Sequence, residues 1–129
     1  MSKIVKTDEQ WLEQLGPEAF KVTRKKGTEY PGTGKFLNHS EKGLYVCTCC
    51  QAPLFTFDSK FNAHCGWPAF DQSIDGAVEY IKDHSNGMTR IEILCTNCDS
   101  HLGHIFDDGP TETGKRYCVN SLSLSFIPS

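Results

Sequence analysis

Cysteine occurs at positions 47, 49, 50, 65, 95, 98 and 118 of a 129-residue chain. Cys47-Thr48-Cys49-Cys50 contains one C-x-x-C and Cys95-Thr96-Asn97-Cys98 another. Two residues between cysteines let a tight turn aim both sulfurs at one ion, and two such turns make a closed tetrahedral site. The spacing predicts a structural zinc ion on Cys47, Cys50, Cys95 and Cys98, with no position left for a substrate. The pairs lie far apart along the chain, so the metal would clamp two distant hairpins. A redox C-x-x-C of the thioredoxin kind needs βαβ units, which the pattern does not show. Cys49 is a spare thiol beside the first pair.

Two more cysteines lie outside these clusters. Cys118 sits between Arg116 and Asn120. On a strand, residues i and i±2 point the same way, so Arg116 would lower the thiol pKa and Asn120 could bond beside it. A thiolate is the reactive form, so the pattern fits a nucleophile; it fits a buried structural cysteine as well. Cys65 stands in His64-Cys65-Gly66-Trp67-Pro68, where Gly and Pro mark an irregular segment in which a thiol could move. Trp67 there is either a recognition wall or a core residue. His101 and His104 directly follow the second C-x-x-C. With four cysteines on the metal, both are free for acid–base work; otherwise one is a ligand.

The elements that must position these groups read as mainly strand. Thr7 and Gln10 have capping-box spacing before a helix whose Trp11, Leu12 and Leu15 share a face, with Gly16 as its stop. Pro17 opens a second short helix through Ala19, Phe20 and Val22. Gly27 to Gly34 is a loop. Strands are expected at Leu44–Val46, Pro53–Phe57, Val78–Lys82, Thr89–Leu94 and Leu102–Phe106, and along a final run from Lys115 to Ile127. That run changes parity: Tyr117 and Val119 are apolar at odd positions, then Leu122, Leu124 and Phe126 at even ones. Either a bulge lies near Asn120, or Arg116, Cys118 and Asn120 share the inward face at the end of a core. Both readings put the three side chains together. The expected fold is mainly β, two antiparallel sheets with short N-terminal helices and a zinc site clamping two hairpins, in one domain over residues 1–129.

Composition narrows the class. Apolar residues make up 38% and charged residues 22%, which suits a folded core and argues against disorder. No run approaches the roughly 18 apolar residues of a membrane span. The net charge of -3 argues against a broad nucleic-acid surface. An odd cysteine count behind a polar N-terminus, Met1 to Glu9, is expected of a reducing, cytoplasmic compartment.

From Lys21 to Ile127 the chain strongly resembles the B-type methionine sulfoxide reductases. The resemblance rests on Gly27-Thr28-Glu29, both C-x-x-C pairs, Cys65-Gly66-Trp67-Pro68, His101-Leu102-Gly103-His104, Asp108-Gly109-Pro110 and Arg116-Tyr117-Cys118-Val119-Asn120. Each motif is modest alone; their order together is specific. This enzyme class is the known route by which methionine is restored from its sulfoxide. The resemblance implies reduction of the R epimer of methionine S-oxide, protein-bound or free. It makes Cys118 the nucleophile and Cys65 the resolving thiol, closing a Cys65–Cys118 disulfide. His104, helped by His101, would protonate the departing oxygen. Trp67 would hold the substrate methyl group, and Arg116, Asn120 and Asp108, the last next to Asp107, would form the polar frame. Thioredoxin is the implied reductant, and no nucleotide fingerprint offers a route through NADPH. His64 stands where many members have Gly, and Ala69 where many have Ser; neither change touches a reacting group. The competing class is a zinc-stabilised module that binds protein or nucleic acid, or a chaperone on the same fold.

Overall fold

The computed structural model describes residues 4–84, Gly87 and residues 89–129. The capping box forms as expected: Gln10 N–H donates to Thr7 Oγ1 at 3.2 Å and Thr7 N–H to Gln10 Oε1 at 2.9 Å. Helix α1 (Asp8–Leu15) follows and ends at Gly16, whose φ of 86° lies in the region glycine tolerates best. Pro17 then starts helix α2 (Pro17–Arg24). Trp11 is buried, with the Arg24 guanidinium 4.5 Å from its ring centroid. Leu15 packs on the core, but Leu12 is exposed, which corrects the three-residue face. Adjacent helical residues differ by about 100° around the axis, and burying Trp11 turns Leu12 outward.

Nine strands follow among the described residues. Strands β1 (Gly43–Cys47), β2 (Pro53–Thr56) and β9 (Leu124–Pro128) form a small sheet in the order β2-β1-β9. Strands β3 (Lys60–Phe61), β4 (Ala69–Phe70), β5 (Val78–Asp83), β6 (Arg90–Cys95), β7 (His101–Phe106) and β8 (Arg116–Val119) form the larger one. Its order is β3-β4-β8-β7-β6-β5. Every pairing is antiparallel. The mainly β fold with two antiparallel sheets and short N-terminal helices is thus as expected. Gly27 to Gly34 holds no helix or strand. Phe57 opens a 3-10 turn instead of ending β2, and the two-residue strands β3 and β4 were not expected.

The sheets meet through aromatic side chains. Phe55 of the small sheet stacks on Phe70 of the large one, with centroids 4.3 Å apart and planes at 14°. Tyr45 meets Phe70 edge-on at 5.1 Å. Such pairs add about 0.5–1.5 kcal/mol each beyond their buried area.

The C-terminal run is neither one strand nor a bulged one. Strand β8 stops at Val119, a 3-10 turn covers Ser121–Ser123, and β9 joins the other sheet. The parity change in the sequence is this crossing. The buried Ser123 hydroxyl donates to His101 O at 2.8 Å, and the buried Ser121 hydroxyl oxygen accepts from Phe36 N–H at 3.2 Å. Those bonds let a polar turn sit inside.

Strands β7 and β8 approach closely at Gly103, which faces Val119 in register. A Cβ added at Gly103 would lie 1.9 Å from Cys118 O. Backbone on both sides cannot yield as a side chain could. Gly103→Ala is therefore expected to destabilise the fold by about 2–3 kcal/mol, at the upper end of ordinary overpacking costs. Urea unfolding measures this directly; a variant as stable as the parent would show that the two strands can spread.

Candidate active site

Both C-x-x-C pairs close the end of a strand in the same way. Gln51 N–H donates to Cys47 O and Asp99 N–H to Cys95 O, each at 2.8 Å. Cys47 N–H donates to Ala52 O and Cys95 N–H to Ser100 O, each at 2.9 Å. Gln51 and Asp99 both take positive φ, 66° and 63°, to make the turn. The sulfurs of Cys47, Cys50, Cys95 and Cys98 all lie within 4.8 Å of one another. The Cys47–Cys98 and Cys50–Cys95 separations are both 3.6 Å. A tetrahedron of metal–sulfur bonds of about 2.3 Å has edges of about 3.8 Å, so the donor set and its spacing fit a soft tetrahedral ion. The cluster joins β1 of the small sheet to β6 of the large one, as expected of a clamp between two hairpins. Cys49 is buried beside it but is not one of the four, and its carbonyl accepts from Gln14 Nε2 at 2.9 Å.

The other two cysteines meet elsewhere. Strand β4 pairs with β8, setting Ala69 opposite Cys118 and bringing the preceding irregular segment over that strand. His64 and Gly66, at φ of 55° and 94°, turn that segment. Cys65 Sγ ends 3.1 Å from Cys118 Sγ. Arg116 Nη1 lies 2.8 Å from Cys118 Sγ. The rest of that guanidinium is held by Asp108, whose carboxylate accepts from Nε at 2.7 Å and Nη2 at 3.0 Å. Phe106 supports it from below, 4.3 Å from ring centroid to guanidinium carbon. A bidentate fork and a stacking face leave one nitrogen for the sulfur. Asp107 pairs instead with Lys115. Arg116 in turn holds the Asp108 carboxyl below the usual carboxylate range.

The two sulfurs lie at hydrogen-bond distance, so a single S–H can serve both. Donation from the Cys118 thiol, helped by the Trp67 backbone and Arg116, lowers Cys65 to about 6 against the effect of burial. Cys118, as the donor and as a buried group, is pushed up, with Arg116 pulling the other way. The negative charge belongs to the pair. Passing the shared proton to Cys65 makes Cys118 the thiolate, already in contact with Arg116.

Across the sheet, His104 is the register partner of Cys118, and Glu92 is the register partner of His104. Directly opposed residues bring their Cβ atoms to about 4.5–5.5 Å, so imidazole and sulfur share one face. His104 Nε2 is 2.7 Å from Asp83 Oδ2. His101 Nδ1 is 2.7 Å from Glu92 Oε2, and Lys26 Nζ reaches Glu92 Oε1 at 3.1 Å. His101 is buried, which lowers its pKa, while Glu92 opposes that shift.

Glu29 ties the opposite wall together. Trp67 Nε1 donates to Glu29 O at 3.1 Å, and Glu29 N–H donates to Asn120 Oδ1 at 3.0 Å. Asn120 Nδ2 donates to Leu102 O at 3.1 Å, and Leu122 N–H to Glu29 Oε1 at 2.9 Å. Asn120 thus spends both ends of its amide on backbone. Trp67, His101, His104, Arg116, Cys118 and Asn120 border one cavity of about 260 Å³. Asp108 reaches it through Arg116, and Cys65 through Cys118.

Sequence reasoning did not single out Asp83, Arg90 or Glu92. The signal for two of them was present: in Arg90-Ile91-Glu92-Ile93 the polar residues share one parity, marking a strand with a polar face. Glu29 carried no such signal, because its role comes mostly from its backbone.

Paired thiols with imidazoles across the strand are the equipment of a thiol-dependent oxidoreductase. Residues 15–128 match the family model described as the SelR domain. A protein of Chromohalobacter salexigens named peptide methionine sulfoxide reductase MsrB is 53% identical over 128 residues, 98% of this chain and 96% of its own length. One of Hahella chejuensis with the same name is 53% identical over 128 residues, 98% of this chain and 91% of its own. A third, from Acinetobacter baumannii, is 50% identical over 125 residues, 96% of this chain and 90% of its own. The chain belongs to the SelR family, the methionine-R-sulfoxide reductases of the MsrB type.

The shared proton has a measurable consequence. A thiol lowered to about 6 is largely thiolate at neutral pH. Alkylation of the Cys65–Cys118 pair by iodoacetamide should therefore rise through pH about 6. In a Cys118→Ala variant, which lacks the S–H donor, the rise should move toward the ordinary thiol value near 8.5. Mass spectrometry of the modified peptides reads both curves. An unchanged midpoint in the variant would place the cause elsewhere.

Proposed function

We propose that the chain reduces the R epimer of methionine sulfoxide in oxidised proteins, with Cys118 as nucleophile and Cys65 as resolving thiol. The free amino acid's sulfoxide presents the same reacting group. One observation carries the reading: the Cys65–Cys118 pair, 3.1 Å apart, lies against Arg116 and in register with His104.

The chemistry follows from what a sulfoxide needs. Its sulfur becomes electrophilic as its oxygen accepts a proton, so thiolate and acid must face each other. Cys118 bonds to the sulfur as His104 gives a proton to the oxygen; the hydroxyl then passes from the substrate sulfur to Cys118 Sγ, as the S–O bond and the transient S–S bond both break. Methionine leaves, and Cys118 carries the oxygen as a sulfenic acid. The Cys65 sulfur then attacks Cys118 Sγ, expelling water and closing a disulfide. The substrate sulfur gains two electrons and the two cysteines lose them. A dithiol protein of the thioredoxin kind returns the pair to thiols by exchange. His101 supports His104, Trp67 forms the wall for the S-methyl group, and Arg116, Asp108 and Asn120 hold the frame.

The four-cysteine cluster is assigned a structural zinc ion. Its four thiolates complete a tetrahedron, and the ion would supply folding free energy on the order of 10 kcal/mol. It takes no part in the reaction. The net charge of -3 supports a protein substrate over nucleic acid. Reduced cysteines in this number suit a reducing compartment, the cytoplasm. No helix among the described residues is long and apolar enough to cross a membrane.

Single-turnover assays separate the two thiol roles. Cys118→Ser should form no methionine. Cys65→Ser should still release about one methionine per enzyme, hold a sulfenic acid, and fail to cycle with thioredoxin while dithiothreitol still turns it over. Full thioredoxin-linked turnover by Cys65→Ser would remove Cys65 from the pathway.

A further inference from the structure

We propose that Asp83 is a positioning residue for the reduction step: it accepts a hydrogen bond from His104 Nε2–H and so leaves Nδ1 as the nitrogen that serves the sulfoxide oxygen. The proposal rests on the reading of His104 as the proton donor.

Asp83 ends β5, far in sequence from the motifs that mark the site. The antiparallel register places it directly opposite Arg90, and Arg90 Nη2 lies 3.6 Å from the same Oδ2 that meets His104 Nε2 at 2.7 Å. Both partners are largely shielded, with side chains 14% exposed for His104 and 18% for Asp83. Several other charged or titratable groups face or adjoin the ring. Glu92 and Arg90 come from β6, His101 from β7 itself, and Cys118 and Arg116 from β8. Glu92 is bonded to His101 and Lys26, and Arg116 to Asp108 and the Cys118 sulfur. Asp83 is the carboxylate that touches the His104 ring.

A carboxylate bonded to one imidazole nitrogen fixes the tautomer and holds the ring plane. During attack, His104 gives the proton on Nδ1 to the sulfoxide oxygen as Cys118 bonds to the sulfur. The ring is left neutral, with its remaining proton on Nε2 against Asp83. No further reactant is needed. Without Asp83 the neutral ring could carry its proton on either nitrogen and rotate, and fewer molecules would be poised to react.

Two measurements test this. Imidazole ¹⁵N NMR of the wild-type protein, with the ring neutral, should show His104 protonated on Nε2. A ring protonated on Nδ1 would overturn the proposal with no variant involved. Asp83→Asn, nearly identical in shape, should then slow single-turnover methionine formation by about 10-fold or more. The loss should not exceed that of His104→Ala, and KM should stay within about twofold. Asp83→Glu should recover part of the rate. In a His104→Ala background, Asp83→Asn should change nothing further. A parental rate in Asp83→Asn beside a slow His104→Ala would remove Asp83 and leave His104 as the acid. Losses that multiply in the double variant would mean that Asp83 acts elsewhere. A parental rate in His104→Ala would remove both, and that variant alone identifies this outcome.

Discussion

The close pairing of β7 with β8 at Gly103 is the constraint on which the site depends. Only a residue without a side chain lets the Cys118 carbonyl come so near. That pairing sets His104 opposite Cys118 and Phe106 opposite Arg116. The alternation of β8 then sends Arg116 and Cys118 to the cavity while Tyr117 and Val119 anchor the strand in the core. The side chains of β7 and β8 at the cavity are therefore held by the same packing that stabilises the fold.

Sulfur is divided between two tasks by position along the strands. Four cysteines sit at the strand-end turns after β1 and β6, where they can bridge the two sheets. Cys118 at the cavity comes from a strand, and Cys65 behind it from an irregular segment. The tasks are linked through the backbone. Cys98 lies three residues before His101, so whatever fixes the β6–β7 turn also fixes the start of the strand that carries both histidines. On the other side, the Glu29 backbone holds Trp67 and Asn120 at once, joining the loop wall to the strand wall. The Cys65 segment is strapped to that same loop, with Gly32 N–H donating to Gly66 O at 2.8 Å.

Much of this was legible in the residues. The C-x-x-C spacing announced the four-cysteine cluster because the geometry of each turn is local. Period-two alternation around Cys118 announced its neighbours for the same reason. The parity change after Asn120 was visible too, but its cause was not. A strand that leaves one sheet for another looks, in one dimension, like a bulge. The strands β3 and β4 are too short to show a period, and so the route that brings Cys65 to Cys118 was hidden. Asp83 and Glu92 were hidden for a different reason: each meets its histidine only through the sheet register, and single-chain spacing does not encode register between separate hairpins. Leu12 stands about 100° round the helix axis from the buried Trp11, and in α1 that step carries it out to solvent.

On the proposed reading the Cys65–Cys118 pair alone carries the electrons, while the four-cysteine cluster stays reduced and bound to its ion. Peptide mapping by mass spectrometry, after reduced protein has reacted with one equivalent of a methionine-R-sulfoxide peptide, tests this most directly. A single new disulfide joining Cys65 to Cys118 is expected, with Cys47, Cys49, Cys50, Cys95 and Cys98 all recovered as thiols. A disulfide from Cys118 to any of those five, or a product with Cys65 still free, would contradict it.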